Sequence, residues 1–172
     1  AVERIINLVC IDARLDHHQN TEEVDSENYL SKIFYRKPNF LFNFSNIGYQ
    51  TYFTSQEDLK HLDRLYFDAS RLGEVRENIE DTEPTMRNAD FLSFDVSSIR
   101  QSDAPGCGYA SPNGFYGEEA CQLVRYAGLS SKLSCIGFFE ANPVFDQRGQ
   151  TAHLVAQLIW YFLDGVSNRI AD

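Results

Sequence analysis

No run in this 172-residue chain approaches the roughly 20 consecutive apolar residues that a bilayer-crossing helix needs, so no membrane role is expected. Basic residues are scarce. Against 25 Asp and Glu there are only 15 Lys and Arg, and a formal charge of -10 repels phosphate backbones, which removes nucleic acid from the expected partners. The four cysteines, Cys10, Cys107, Cys121 and Cys135, contain no Cys-x-x-Cys pair. Two of them lie inside apolar strand candidates, so they read as buried reduced thiols rather than as zinc or redox ligands. The amino end carries no basic leader, and its apolar stretch from Ile5 to Ile11 soon meets charged residues, so the expected compartment is the cytoplasm. No internal repeat or low-complexity tract is visible.

What is present alternates between strand and helix patterns. Ile5–Ile11, Phe40–Phe44, Ala89–Val96 and Cys135–Phe139 read as strands, with a weaker one at Leu65–Asp68. Helical patterns cover Tyr29–Phe34 (with Ser26 as the expected N-cap), Ser55–Arg64, Gly73–Glu80 before Pro84, Gly117–Gly128 and Thr151–Gly165. The long segment 97–116, rich in Gly, Ser, Pro and Asp, reads as an irregular functional loop. The expected fold is an α/β three-layer α/β/α sandwich with a mainly parallel sheet, and residues 1–172 read as one domain. Because the chain enters a central-looking strand almost at once, it reads as a fragment lacking its N-terminal strands. The 13 Phe and 9 Tyr are assigned to core packing, with Trp160 and Tyr161 as core or subunit-contact candidates that leave a homo-oligomer open.

Three apolar strands run directly into acids: Asp12, Asp95 and Glu140. In a parallel sheet, ligands bind beyond the carboxyl ends of the strands, so these residues are expected to share one crevice. Alternation along an extended backbone would also point Asp12, Arg14 and Asp16 together, and likewise Asp95 with Ser97. Taken singly, Asp146 reads as a solvated turn residue, and His61 and His153 as surface or core-edge side chains.

Asp12-Ala-Arg-Leu-Asp16 and Ser93-Phe-Asp-Val-Ser97 resemble the two metal motifs of the ureohydrolases (arginase, agmatinase, formimidoylglutamase), Asp-Ala-His-x-Asp and Ser-Phe-Asp-x-Asp. Ala104-Pro-Gly-Cys-Gly108 is similar to that family's substrate loop, Gly117-Glu-Glu119 to a helix start, and Phe139-Glu-Ala-Asn-Pro143 to its Glu-Val-Asn-Pro block. The likeness is greatest to the formimidoylglutamase branch. It implies an arginase-like fold and two manganese ions that activate a bridging hydroxide against an amidine or guanidinium carbon. By position, Asp12, Asp16 and Asp95 would be metal ligands, and Glu140 would hold the cationic head of a small amidine or guanidino ligand.

Arg14 stands where the family has a histidine ligand, Ser97 where it has a second aspartate, and the family's Gly-Gly-x-His segment is not in this sequence. A guanidinium has no lone pair to donate. Three arrangements stay open: a dinuclear centre, a single cation held with a displaced imidazole from His17 or His18, and a metal-free site. In the last, Arg14, helped by Arg100, pairs bidentately with the acids. The preferred reading is a degenerate centre, with manganese the cofactor if there is one. The protein would then be a non-catalytic ligand- or partner-binding relative. The alternative is a manganese-dependent hydrolase of linear amidines.

Overall fold

The computed structural model describes residues 5–17 and 23–169. Five strands, β1 (Ile6–Ile11), β2 (Leu41–Tyr49), β3 (Asp68–Arg71), β4 (Phe91–Asp95) and β5 (Cys135–Phe139), form one sheet in the order β3-β2-β1-β4-β5. Every pairing is parallel. The chain builds outward from β1 to β3 and then returns to lay β4 on the other side of β1. The carboxyl ends of β1 and β4 therefore flank the point where the winding reverses, which is where an open α/β sheet has its natural crevice.

Alternation along β1 separates two cores. Leu8 and Cys10 join Phe44 and the buried faces of α1 (Tyr29–Phe34) and α2 (Gln56–Arg64), contributed by Leu30, Phe34 and Leu62. Val9 and Ile11 face the other way. They meet Leu92, Phe94 and the residues of α3 (Leu72–Glu77), α4 (Glu83–Asn88), α5 (Gly117–Gly128) and α6 (Gln150–Ser167). A strand buried on both faces must be apolar at consecutive positions, which is why Leu-Val-Cys-Ile is unbroken. The result is the expected three-layer α/β/α arrangement around a parallel sheet.

Local signals account for most element boundaries. Ser55 caps α2 by accepting the Asp58 N–H at 3.1 Å. α5 begins with Glu119 accepting the Tyr116 N–H at 2.8 Å. Asp146 is a helix cap rather than a solvated turn residue: its two carboxylate oxygens accept the Thr151 and Ala152 N–H groups of α6 at 3.1 and 2.9 Å. Those backbone bonds, the one from Ala152 first, hold its pKa below the usual carboxylate range.

Several boundaries depart from the sequence pattern. Ser26 does not cap α1; the cap position falls to Asn28, with no side-chain capping bond. Pro84 sits in the first turn of α4, where its missing N–H costs nothing, instead of stopping a helix. The third strand runs over Asp68–Arg71, later than the Leu65–Asp68 pattern. β2 continues through the polar residues Asn43, Ser45 and Asn46 to Tyr49. Its register against β3 shifts at Gly48, between Ile47 and Tyr49, where a φ of 99° and contact with the Phe115 ring exclude a side chain. Trp160 is 63% exposed on α6 and does not enter the core. All four cysteines are free, but Cys135 is exposed while the others are buried. Among the described residues, no helix is long and apolar enough to cross a membrane.

α5 and α6 cross at a pair of glycines. A Cβ on Gly165 would lie 2.4 Å from the Arg125 carbonyl oxygen and 2.8 Å from the Gly128 Cα, so neither helix can yield without separating. Gly165→Ala is expected to cost about 1–3 kcal/mol in denaturant unfolding, the usual penalty for overpacking. A change within roughly 0.5 kcal/mol of the parent would contradict this backbone contact.

Candidate metal centre and ligand crevice

The ends of β1 and β4 are built alike. Asp12 Oδ1 accepts the Arg14 N–H at 2.8 Å, and Asp95 Oδ1 accepts the Ser97 N–H at 2.6 Å. Each aspartate thus folds the chain back over its own side chain in an Asx turn as the strand ends. Since β1 and β4 are hydrogen-bonded neighbours, the two turns sit side by side. Asp16 arrives from the same loop, with its carbonyl accepting the Leu30 N–H of α1 at 3.1 Å. One carboxylate oxygen each from Asp12, Asp16 and Asp95 lies within 4.8 Å of the others, and Asp12 and Asp16 are 4% and 8% exposed.

The convergence of these three acids matches expectation, but extended alternation does not produce it. Asp12 reaches Asp16 through a turn, and Ser97 meets the Asp95 carboxylate with both its backbone N–H and its side chain because the chain folds back there. Glu140 follows β5 in the left-handed region at φ 61°, a conformation that costs a non-glycine residue roughly 1–2 kcal/mol. It lines a cavity of about 240 Å³ together with Asp16, Asp95, Ser26, Ser93, Tyr29 and Phe139. Three acids, Asp16, Asp95 and Glu140, thus share this cavity with two aromatic side chains.

Arg14 corrects a second expectation. Among the described residues its guanidinium makes no ion pair with Asp12, Asp16 or Asp95, so the bidentate arrangement is not formed. It lies instead over the rings of Phe53 and Tyr109, with Cζ 4.2 and 4.9 Å from their centroids, and its buried Nη1 has no hydrogen-bond partner. Nothing in the local sequence marks Phe53 or Tyr109 as partners of Arg14, since they come from the β2 exit and from the 97–116 loop. Arg100 is also elsewhere: it pairs with Asp103 at 2.8 Å and stacks on Tyr116.

His17 does not join the acids. Its ring is fully buried, stacked on His61 at 4.8 Å, with Nδ1 3.5 Å from Asp58. His18 lies outside the described residues. Among the described residues, the buried side-chain atoms without a partner, on Arg14, His17, Asn46 and Thr54, belong to β2 or to the segments leaving β1 and β2.

Three carboxylates offer an all-oxygen donor set suited to one hard divalent cation. The two-ion centre implied by the sequence resemblance finds no such fit. No imidazole joins the group among the described residues, Arg14 cannot ligate, and Ser97 brings no carboxylate where the resemblance has an aspartate.

Without a cation the acids repel one another in a dry setting. Burial raises Asp12 well above the carboxylate range, followed by the charges of Asp95 and Asp16. Burial pushes Asp16 up to about 6, with the Asp95 charge adding and an Asp12 hydrogen bond and the Arg14 charge opposing. Burial also raises Asp95, against the hydrogen bonds from Ser97. For a carboxyl raised on folding, the penalty is absent below its unfolded pKa and grows to its full size as pH rises through the folded one. In chelator, Asp16→Asn is therefore expected to be about 1–3 kcal/mol more stable than the parent above pH 7, and equal to it near pH 4. A pH-independent difference in thermal unfolding would contradict the buried acidic group.

The model of the arginase family matches residues 1–164. Formimidoylglutamase of Bacillus subtilis (strain 168) is 32% identical over 76 residues, covering 44% of this chain and 24% of that protein. Formimidoylglutamase of Staphylococcus aureus (strain JH9) is 30% identical over 107 residues, covering 60% and 34%. The crystal structure of the Bacillus subtilis formimidoylglutamase superposes with a TM-score of 0.85 at 21% identity, covering 97% of this chain and 55% of that one. Trypanosoma cruzi formiminoglutamase, solved with Mn²⁺, gives 0.86 at 19% identity, covering 96% and 58%. The aligned part spans about a quarter to a third of these curated relatives and a little over half of the solved chains. The matched family model, the parallel sheet and the acids at its switch point agree: the chain belongs to the arginase family.

Proposed function

We infer that this chain is a non-catalytic ligand-binding member of the family with a reduced metal centre. One observation carries the reading. Where the resemblance calls for an imidazole ligand, Arg14 places a guanidinium over Phe53 and Tyr109, and three carboxylates are left to act alone. Asp12, Asp16 and Asp95 would hold one cation, manganese being the ion carried by a solved relative. Glu140, with Asp16, Tyr29 and Phe139 around it, would receive the cationic head of a small amidine or guanidino compound. The buried thiols and the lack of a spanning helix among the described residues fit a cytoplasmic setting.

A second reading keeps catalysis. The intact trio of carboxylates favours a manganese-dependent hydrolase of linear amidines, with further ligands supplied by residues other than these. Calorimetric titration separates the two. The first reading expects one Mn²⁺ per chain, and methylguanidinium binding that Glu140→Gln weakens. Two tight Mn²⁺ sites would overturn it. Combining Arg14→His with Ser97→Asp is expected to raise Mn²⁺ affinity at least about tenfold by restoring two donors. Unchanged affinity would mean that the two strand ends do not form the ion site.

A further inference from the structure

Arg14 forgoes the partner that its surroundings offer. Its backbone is fixed by its own N–H to Asp12 Oδ1 at 2.8 Å and by Asn46 Nδ2 to its carbonyl at 2.9 Å, so only the side chain is free to choose. Asp12 and Asp16 lie within two residues of it on the same loop, and Asp95 is within 4.8 Å of both. A guanidinium–carboxylate pair is charge-assisted and bidentate, and is ordinarily stronger than a contact with an aromatic face. Even so, the guanidinium rests on two rings, with Nη1 buried and unpartnered.

The backbone that carries each ring is itself anchored. The Phe53 N–H donates to the Gln50 carbonyl at 2.9 Å, and the Gln50 N–H to the Ala13 carbonyl at 2.9 Å, which ties the β2 exit to the residue before Arg14. The Tyr109 N–H donates to Cys107 Sγ at 3.4 Å within its own loop. Two separate segments thus present aromatic faces to one cation beside an acidic group with which it makes no ion pair among the described residues.

We propose that Phe53 and Tyr109 are positioning residues that hold the Arg14 guanidinium off Asp12, Asp16 and Asp95, so that these acids stay open to a cation. Arg14 and a divalent ion are then alternative occupants of the same carboxylates, and the aromatic clamp sets which one is there. Loosening the clamp lets Arg14 fall onto the acids and close the site. This rests on the single-cation reading above.

The test is a double-mutant cycle on the intact chain with Mn²⁺ as the probe, following the electron paramagnetic resonance signal of the free ion. Phe53→Leu, which keeps the apolar bulk and loses the π face, is expected to weaken Mn²⁺ binding about fivefold to tenfold. Phe53→Trp should preserve or tighten it. Arg14→Gln should tighten binding and remove the effect of Phe53→Leu altogether. An equal loss from Phe53→Leu with and without Arg14 would make the ring merely structural and overturn the proposal, as would no loss in either background. If the parent binds no Mn²⁺ even at millimolar concentration, the single-cation reading falls and the clamp with it. If the parent binds and the cycle shows no coupling, the clamp alone falls. Thermal unfolding of each variant guards against a misfolded chain, and Tyr109→Leu repeats the cycle from the other ring.

Discussion

The candidate site depends on the parallel hydrogen bonding of β1 to β4, the two strands that flank the reversal in winding order. Each ends in an aspartate whose carboxylate takes the N–H two residues on, so pairing the strands also pairs the turns. Nothing else needs to bring Asp12 and Asp95 together across so much sequence. The cost is a buried acidic group, tolerated because the strands beneath it are sealed by apolar side chains on both faces. A fold held this firmly can afford an electrostatically unfavourable rim, as functional sites commonly have.

The fold was largely legible in the residues. α5 and β5 lie where the pattern puts them because both carry strong local signals: Glu119 and the apolar stripe of Ala120, Leu123, Val124 and Ala127 for the helix, and a short apolar run for the strand. The misses share a cause, namely tertiary context overriding local chemistry. Polar Asn43, Ser45 and Asn46 hide the length of β2 because strand pairing there depends on neighbours rather than on side-chain type. Pro84 is ambiguous in any sequence, since the residue that ends one helix can open the next. Asp146 caps a helix that begins several residues later, a relation that spacing alone does not reveal.

The site was half legible. The acids at strand ends were visible as a pattern, and the parallel sheet brings them together. The role of Arg14 was not, because its aromatic partners arrive from two other segments and an arginine among aspartates suggests a salt bridge. The difference has functional weight. A guanidinium paired with the acids would close the centre to ions, whereas one lying on Phe53 and Tyr109 leaves three carboxylates, with oxygens within 4.8 Å of one another, that could hold a metal ion. With Arg14 and Ser97 standing where the resembled motifs have an imidazole and an aspartate, three carboxylates remain grouped beside a cavity in which Glu140 holds a left-handed backbone.

The most direct measurement is anomalous scattering at the manganese edge from crystals of this chain grown with Mn²⁺. The account predicts a single peak among Asp12, Asp16 and Asp95, with Arg14 still lying on the two rings. Two peaks bridged at this position, or Arg14 paired with the acids while the ion is bound, would contradict it.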